Sequence, residues 1–114
     1  MNVLITGVSS GLGKSLKDEY NNIGHNVYGI SRNDVDDCNH IELDLSYIPN
    51  VNQKLPVLLE DVTELDVVIL NAGMLGEIKT FDEWGYGELL EIMNVNVWSN
   101  KYILLSSSIF KISY

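Results

Sequence analysis

The chain has 114 residues, with 7 Lys and Arg against 16 Asp and Glu, giving a formal charge of −9, and 46% of it is hydrophobic. That length allows one domain, and the composition fits a packed globular core and excludes a disordered or fibrous chain. The acidity, with no local basic run, argues against nucleic acid and membrane surfaces as partners. The single cysteine, Cys38, excludes an internal disulfide or a cysteine metal cluster and suits a reducing cytoplasm. No apolar run approaches the ~18 residues of a membrane span.

Met1 leads into residues 2–6, Asn-Val-Leu-Ile-Thr, without a basic leader, so the chain reads from its start as a strand that halts at the glycine-rich residues 7–13. Leu12, Leu16, Tyr20 and Ile23 recur at helical spacing, with Gly24 as the stop. Strands are expected over residues 26–30 and 41–45, with the polar residues 31–40 between them and the two histidines, His25 and His40, as polar residues flanking the strands. Residues 46–63 read as a helix, with Pro49 suited to its first turn and Pro56 a missing donor inside it. Residues 66–70 form an apolar run behind one acid, the pattern of a strand buried on both faces. Residues 86–110 contain no proline and predict one long helix, apolar around most of its circumference and so buried on most sides. Alternating strands and helices in this order predict a parallel sheet with helices on both faces.

The chemical signal is Thr6-Gly7-Val8-Ser9-Ser10-Gly11-Leu12-Gly13 at a strand-to-helix junction. Glycines there let backbone approach a pyrophosphate beside the positive end of a helix. Taken alone, the same residues also suit a tight turn with no ligand. Gly13-Lys14-Ser15 resembles the end of a P-loop, but that motif needs glycine where Val8 stands, and Gly7 is one residue too far away. The run 66–70 also begins with Asp66 and ends with Asn71, the reverse of what a magnesium-binding acid requires. Lys14 is then a solvated residue of the first helical turn.

With Asp44-Leu45 after the third strand, Asn71-Ala72-Gly73 after the fourth and Asn94-Val95-Asn96-Val97 in the long helix, the sequence resembles the short-chain dehydrogenase/reductase family, in the branch with T-G-x-x-x-G-x-G. The resemblance runs over essentially the whole chain and matches the N-terminal half of the family's catalytic domain. It implies a single, partial NAD(P)-binding domain over residues 1–114. The implied fold is a Rossmann-like, doubly wound parallel sheet that stops after the fourth strand and its long helix. It further implies that Gly7, Gly11 and Gly13, with the backbone of Ser9, Ser10 and Leu12, cradle the cofactor's ribose and pyrophosphate. Asp44 would accept from the adenine amino group beside Leu45, and Asn71, Ala72 and Gly73 would line the adenosine side. Asn96 matches the family's proton-relay asparagine. Its apolar neighbours Met93, Val97 and Trp98 argue against full exposure, and a buried amide needs a fixed partner or water. Ser99 replaces the glycine common three positions after this asparagine.

The residue that reads the ribose 2′ position lies about 20 residues past the glycine loop, which brings the count to Ser31 and Arg32. A hydroxyl and a guanidinium suit a 2′-phosphate, whereas an acid would suit a free 2′-hydroxyl. NADP(H) is therefore favoured over NAD(H), although Asp34, Asp36 and Asp37 dilute the local positive charge and Ser10 is not basic.

The family's Tyr-x-x-x-Lys pair is not found in these residues: four positions after the tyrosines stand Gly24, Arg32, Val51, Leu90 and Ser106, and Tyr114 is last. Ser106, Ser107 and Ser108 follow Asn96 too closely to sit on the strand that carries the family's catalytic serine. The reading is therefore the cofactor-binding half of a cytoplasmic NADP(H)-dependent oxidoreductase acting on a small alcohol or carbonyl compound, with no metal. This polypeptide is expected to bind without turnover. A non-catalytic nucleotide-binding or assembly module is the alternative. With the fourth strand at an edge and the helix 86–110 uncovered, a homo-oligomer formed through either is expected, or a fragment of a longer enzyme.

Overall fold

The computed structural model describes residues 1–62 and 64–106, which form a four-stranded parallel sheet in the order β3-β2-β1-β4. The strands are β1 (Asn2–Thr6), β2 (Asn26–Ser31), β3 (Asn39–Glu42) and β4 (Val67–Ile69). Alternation along each strand sorts its side chains between two faces. Val3 and Ile5 of β1 and Val27 of β2 pack with Val8, Leu16 and Tyr20 under helix α1 (Gly11–Asn22). Leu4 and Ile30 point the other way, into a larger cluster with Val51 and Leu55 of helix α2 (Ile48–Leu58) and with Ile103. This is the expected Rossmann-like sheet, covered on both faces. The strand order reverses at β1, between β2 and β4, and opens a crevice at the carboxyl ends of the strands, where such sheets bind ligands.

Helix α1 stops as expected at Gly24, whose φ of 88° accommodates a left-handed turn. The amides of Gly24 and His25 there bond back to the carbonyls of Asn21 and Tyr20. Its inner face differs from the expected one: Leu12 is 67% exposed and Ile23 is also exposed, while Gly13 and Lys17 are buried. Gly13 sits against the Gly7 carbonyl and the Asn71 side chain, while Leu16 and Tyr20 of the expected stripe still pack on the sheet.

Strand β3 spans residues 39–42, not 41–45, so His40 lies within a strand rather than before one. The Leu43 amide still bonds to the Ser31 carbonyl, but Asp44 then turns the chain and sends Leu43 and Leu45 into the core beside α2. Pro49 occupies the first turn of α2, and Pro56 is accommodated near its end, where only one carbonyl partner is lost. β4 is half-buried rather than buried on both faces, because it pairs only with β1. A short 3₁₀ turn at Phe81–Glu83, not anticipated from the pattern, precedes the last helix.

That last helix comprises α3 (Tyr86–Met93), a π-helical turn at Asn94–Trp98 and α4 (Ser99–Ser106). The rest of the expected helix, with Ser107, Ser108 and Tyr114, lies outside the described residues. The expected all-round burial is not found. α3 has no buried residue, and Leu89, Leu90, Met93, Val97 and Trp98 are exposed. Among the described residues the last helix's apolar contacts with the core are Val95, Tyr102 and Ile103, while the polar Asn94 and Ser99 are also buried.

Candidate functional site

β1 ends at Thr6, a fully buried residue whose hydroxyl oxygen accepts the amides of Asn71 at 3.0 Å and Ala72 at 2.9 Å. The Asn71 side-chain amide donates in return to the carbonyls of Thr6 at 3.2 Å and Gly7 at 3.4 Å. These bonds press the glycine turn against the segment after β4. Gly7 bends the chain at a φ of 74°, and a Cβ on Gly13 would lie 1.9 Å from the Gly7 carbonyl oxygen. Gly13 is therefore a packing glycine that brings α1 against the turn. Gly11, at a φ of 58°, has open space where a Cβ would point.

The turn forms one wall of a cleft of about 360 Å³, within the size range of ligand pockets. Of the residues singled out in the sequence, Gly7, Ser9, Ser10, Ser31, Arg32, Asp44, Leu45, Asn71, Ala72 and Gly73 line it. Gly11, Leu12 and Gly13 begin α1 and do not line it, and Asn96 reaches it only through its bonds to Met74, which does. Asp44 is held in place by Ser46, whose amide donates to it at 2.9 Å and whose hydroxyl donates at 2.7 Å. Partial burial pushes the Asp44 carboxyl up, but the two Ser46 bonds and the Arg32 charge outweigh it and hold the group below the ordinary aspartate range.

The acids that thin the positive field near Arg32 are partly committed elsewhere. Asp37 accepts from the buried Lys17 ammonium at 2.6 Å, and Asp34 lies 3.3 Å from the His40 ring. Burial lowers the pKa of Lys17, but the bonds to Asp37 and Asp18 prevail and raise it above the usual lysine value.

Asn96 is exposed, contrary to expectation, together with Met93, Val97 and Trp98. It is nonetheless fixed: its carbonyl accepts the Met74 amide at 2.8 Å, and its amide donates to the Met74 carbonyl at 2.8 Å. Its main-chain carbonyl, in the π-helical turn, accepts from Asn100 at 3.0 Å. The serine that replaces the expected glycine, Ser99, is buried and bonds back to the Val95 carbonyl at 2.8 Å.

Several residues of the site escaped sequence reasoning. Thr6 was visible only as the first letter of a glycine motif, yet it anchors both Asn71 and Ala72. Asn94 is buried and donates to the Ser46 carbonyl at 2.9 Å, tying the π-helical turn to the Asp44 wall. Ser46, Met74 and Glu91 also line the cleft. The Asn-x-Asn spacing was a signal for Asn94, whereas nothing local marked Glu91.

The donor set fits a dinucleotide. Backbone turned by positive-φ glycines suits close approach of a pyrophosphate, hydroxyls and a guanidinium suit phosphate oxygens, and a carboxylate held below its usual range suits an amino group. No group of three or more potential metal ligands occurs among the described residues, and no helix among them is long and apolar enough to cross a membrane.

A family model described as short chain dehydrogenase matches residues 1–111. An uncharacterized oxidoreductase of Schizosaccharomyces pombe is 34% identical over 107 residues, which are 89% of this chain and 36% of that protein. A 3-ketodihydrosphingosine reductase of Bacteroides thetaiotaomicron is 35% identical over 75 residues, 63% of this chain and 28% of its own length. The chain thus spans about a third of the curated relatives it matches. Among solved structures, a short chain dehydrogenase family protein of Francisella tularensis superposes with a TM-score of 0.81 at 23% identity, over 94% of this chain and 45% of that one. A Brucella ovis oxidoreductase in complex with a partially ordered NAD superposes at 0.77 and 20% identity, over 92% of this chain and 55% of that one.

Proposed function

The chain belongs to the short-chain dehydrogenase/reductase family, and on that premise we propose that it carries the dinucleotide site of an oxidoreductase for an alcohol or carbonyl substrate, with NADP(H) preferred over NAD(H). The observation that carries the reading is the cleft at the carboxyl ends of β1, β2 and β4, where the glycine turn, Ser31-Arg32 and Asp44 converge. When bound, a nicotinamide dinucleotide supplies the hydride chemistry of such enzymes. The residues of this chain bind and orient it. In this reading, Gly7, Gly11 and Gly13, with the backbone of Ser9, Ser10 and Leu12, receive the pyrophosphate and ribose. Arg32 and Ser31 meet the 2′ position. Asp44 accepts from the adenine amino group beside Leu45, while Asn71, Ala72 and Gly73 line the adenosine side.

Asn96 is proposed as the proton-relay asparagine. Its side-chain amide makes one bond from each end to Met74, and its main-chain carbonyl has a second lone pair beyond the Asn100 bond that could hold a relay water. A tyrosine and lysine at the family's spacing do not occur in these 114 residues. The polypeptide alone is therefore proposed to bind the dinucleotide without turning substrate over. A cytoplasmic site of action is proposed with it, and the single cysteine, which can form no internal disulfide, suits that compartment.

Calorimetric titration with NADPH and NADH tests the reading. Binding of both with NADPH the tighter is the expected result. No heat with either nucleotide, from protein shown to be folded by circular dichroism, would overturn it. The second reading, an assembly module, is favoured by one observation, the exposed apolar side chains of α3 and the π-helical turn.

A further inference from the structure

Asp44 lines the cleft from an exposed turn, yet its carboxylate is tied in one orientation. The amide and the hydroxyl of Ser46 both donate to the same oxygen, Oδ1, at 2.9 and 2.7 Å, and among the described residues no hydrogen bond reaches Oδ2. One oxygen is spent on orientation and the other is left to accept. Ser46 is itself held from outside the turn: its carbonyl accepts the side-chain amide of Asn94 at 2.9 Å, from 48 positions along the chain. Asn94 is 9% exposed and is the first residue of the π-helical turn, so the far end of this series is seated in packed structure. We propose that Asn94 is a positioning residue for base recognition, acting through Ser46 so that Asp44 selects a purine carrying a 6-amino group over one that lacks it. The inference rests on the dinucleotide reading above.

The turn has other anchors, and none of them sets the direction of Ser46. Leu43 and Leu45 enter the core beside α2, and the Leu43 amide bonds to the Ser31 carbonyl. Apolar burial fixes the depth of the main chain but is not directional. The bond from Asn94 has a preferred line and length, and it acts on the residue that carries both donors to Asp44. Without it the Ser46 peptide is free to swing and to take those donors with it. A main-chain carbonyl only accepts, so Asn94 must donate, and neither an ionised aspartate nor an apolar side chain can replace it. Val95, the next residue, lines the cleft, so the turn that carries Asn94 is also part of its wall.

The chemistry of the base supplies a direct readout. Adenine offers an N–H donor at its 6 position, whereas hypoxanthine offers a carbonyl oxygen there. A correctly placed Oδ2 gains a charge-assisted hydrogen bond from the first and meets a lone pair on the second.

The test is calorimetric titration with NADP+ and with its deamino analogue, in which hypoxanthine replaces adenine, and the readout is the ratio of the two affinities. Wild type is expected to favour NADP+ about tenfold, the worth of one hydrogen bond to a charged group. Asp44→Ala is expected to abolish the preference, and Asn94→Ala to lower it to about twofold although Asp44 is still present. Asn94→Asp keeps the shape without the donor and is expected to match Asn94→Ala; should one of the two fail to fold, the other decides. The ratio of NADP+ to NAD+ affinity, which reads the 2′ position at Ser31 and Arg32, is expected to stay within about twofold of wild type in both. An unchanged adenine preference in a folded Asn94 variant, or an equal fall in the NADP+ to NAD+ ratio, overturns the inference and leaves the dinucleotide reading standing. A wild type that binds both purine forms equally overturns the inference together with the role given to Asp44. A folded wild type that binds no nucleotide overturns the dinucleotide reading as well.

Discussion

At Gly13 a single methyl group would meet backbone rather than a movable side chain, since its Cβ would fall 1.9 Å from the Gly7 oxygen and 2.8 Å from the Gly7 carbonyl carbon. Gly13→Ala is therefore expected to destabilise the fold by about 2–4 kcal/mol through overpacking, seen as a lower urea midpoint. Gly11→Ala has open space and pays only for its left-handed backbone, about 1 kcal/mol. Equal midpoints for the two variants would contradict this account. Asp44 makes a second prediction. Its folded pKa lies below the free value of 3.8, so its bonds to Ser46 stabilise the fold above that value and fade as pH falls through the lowered folded one. Wild type is expected to lose stability relative to Asp44→Asn only below about pH 4, in urea titrations run as a pH series. A divergence that opens above neutrality would refute it. Of the site residues, the glycines and Asp44 are legible in sequence because motif spacing marks them. Thr6 and His40 are not, since what matters in both is a partner distant in sequence.

At the scale of elements, the π-helical turn at Asn94–Trp98 faces two walls of the cleft at once. Asn94 reaches Ser46 on one side and Asn96 reaches Met74 on the other, two positions apart. Asn96→Ala removes both bonds to Met74 and is expected to speed hydrogen exchange at the Met74 amide about tenfold, with little change in the amides of β1. Uniform acceleration across the sheet would instead indicate global destabilisation. Helical periodicity identified this element and its apolar residues, but it could not reveal the π-helical turn, because one extra residue in a turn leaves the composition unchanged. β3 was displaced for a related reason: Leu43 and Leu45 alternate like strand residues, and the turn that diverts them depends on Asp44 bonding to Ser46.

For the whole molecule, the sheet has edges at β3 and β4, and the helix beyond β4 leaves Leu89, Leu90, Met93, Val97 and Trp98 exposed on its surface. Apolar groups left together in water favour association, by about 25 cal/mol for each Å² removed from solvent. Sedimentation velocity on this polypeptide is expected to show concentration-dependent self-association that Val97→Glu reduces. A monomer at all concentrations would show that the face is tolerated in water. The same face supplies the observation behind the assembly-module reading, which cofactor titration and sedimentation separate.

Sequence alone determined the alternation of strand and helix, the parallel sheet, the glycine turn and the positions of Asp44, Asn71 and Asn96. All of these follow from local steric rules, from periodicity of apolar residues, or from a motif whose spacing survives in one dimension. Tertiary structure alone decided that Gly13 packs against the Gly7 carbonyl, that Thr6 binds the strand ends together, that Lys17 is buried against Asp37, and that His40 holds Ser31 and Asp34. Each depends on a hydrogen bond, ion pair or contact between residues on different elements. Such a pair is set by strand register and helix rotation, which the order of residues along one segment does not encode.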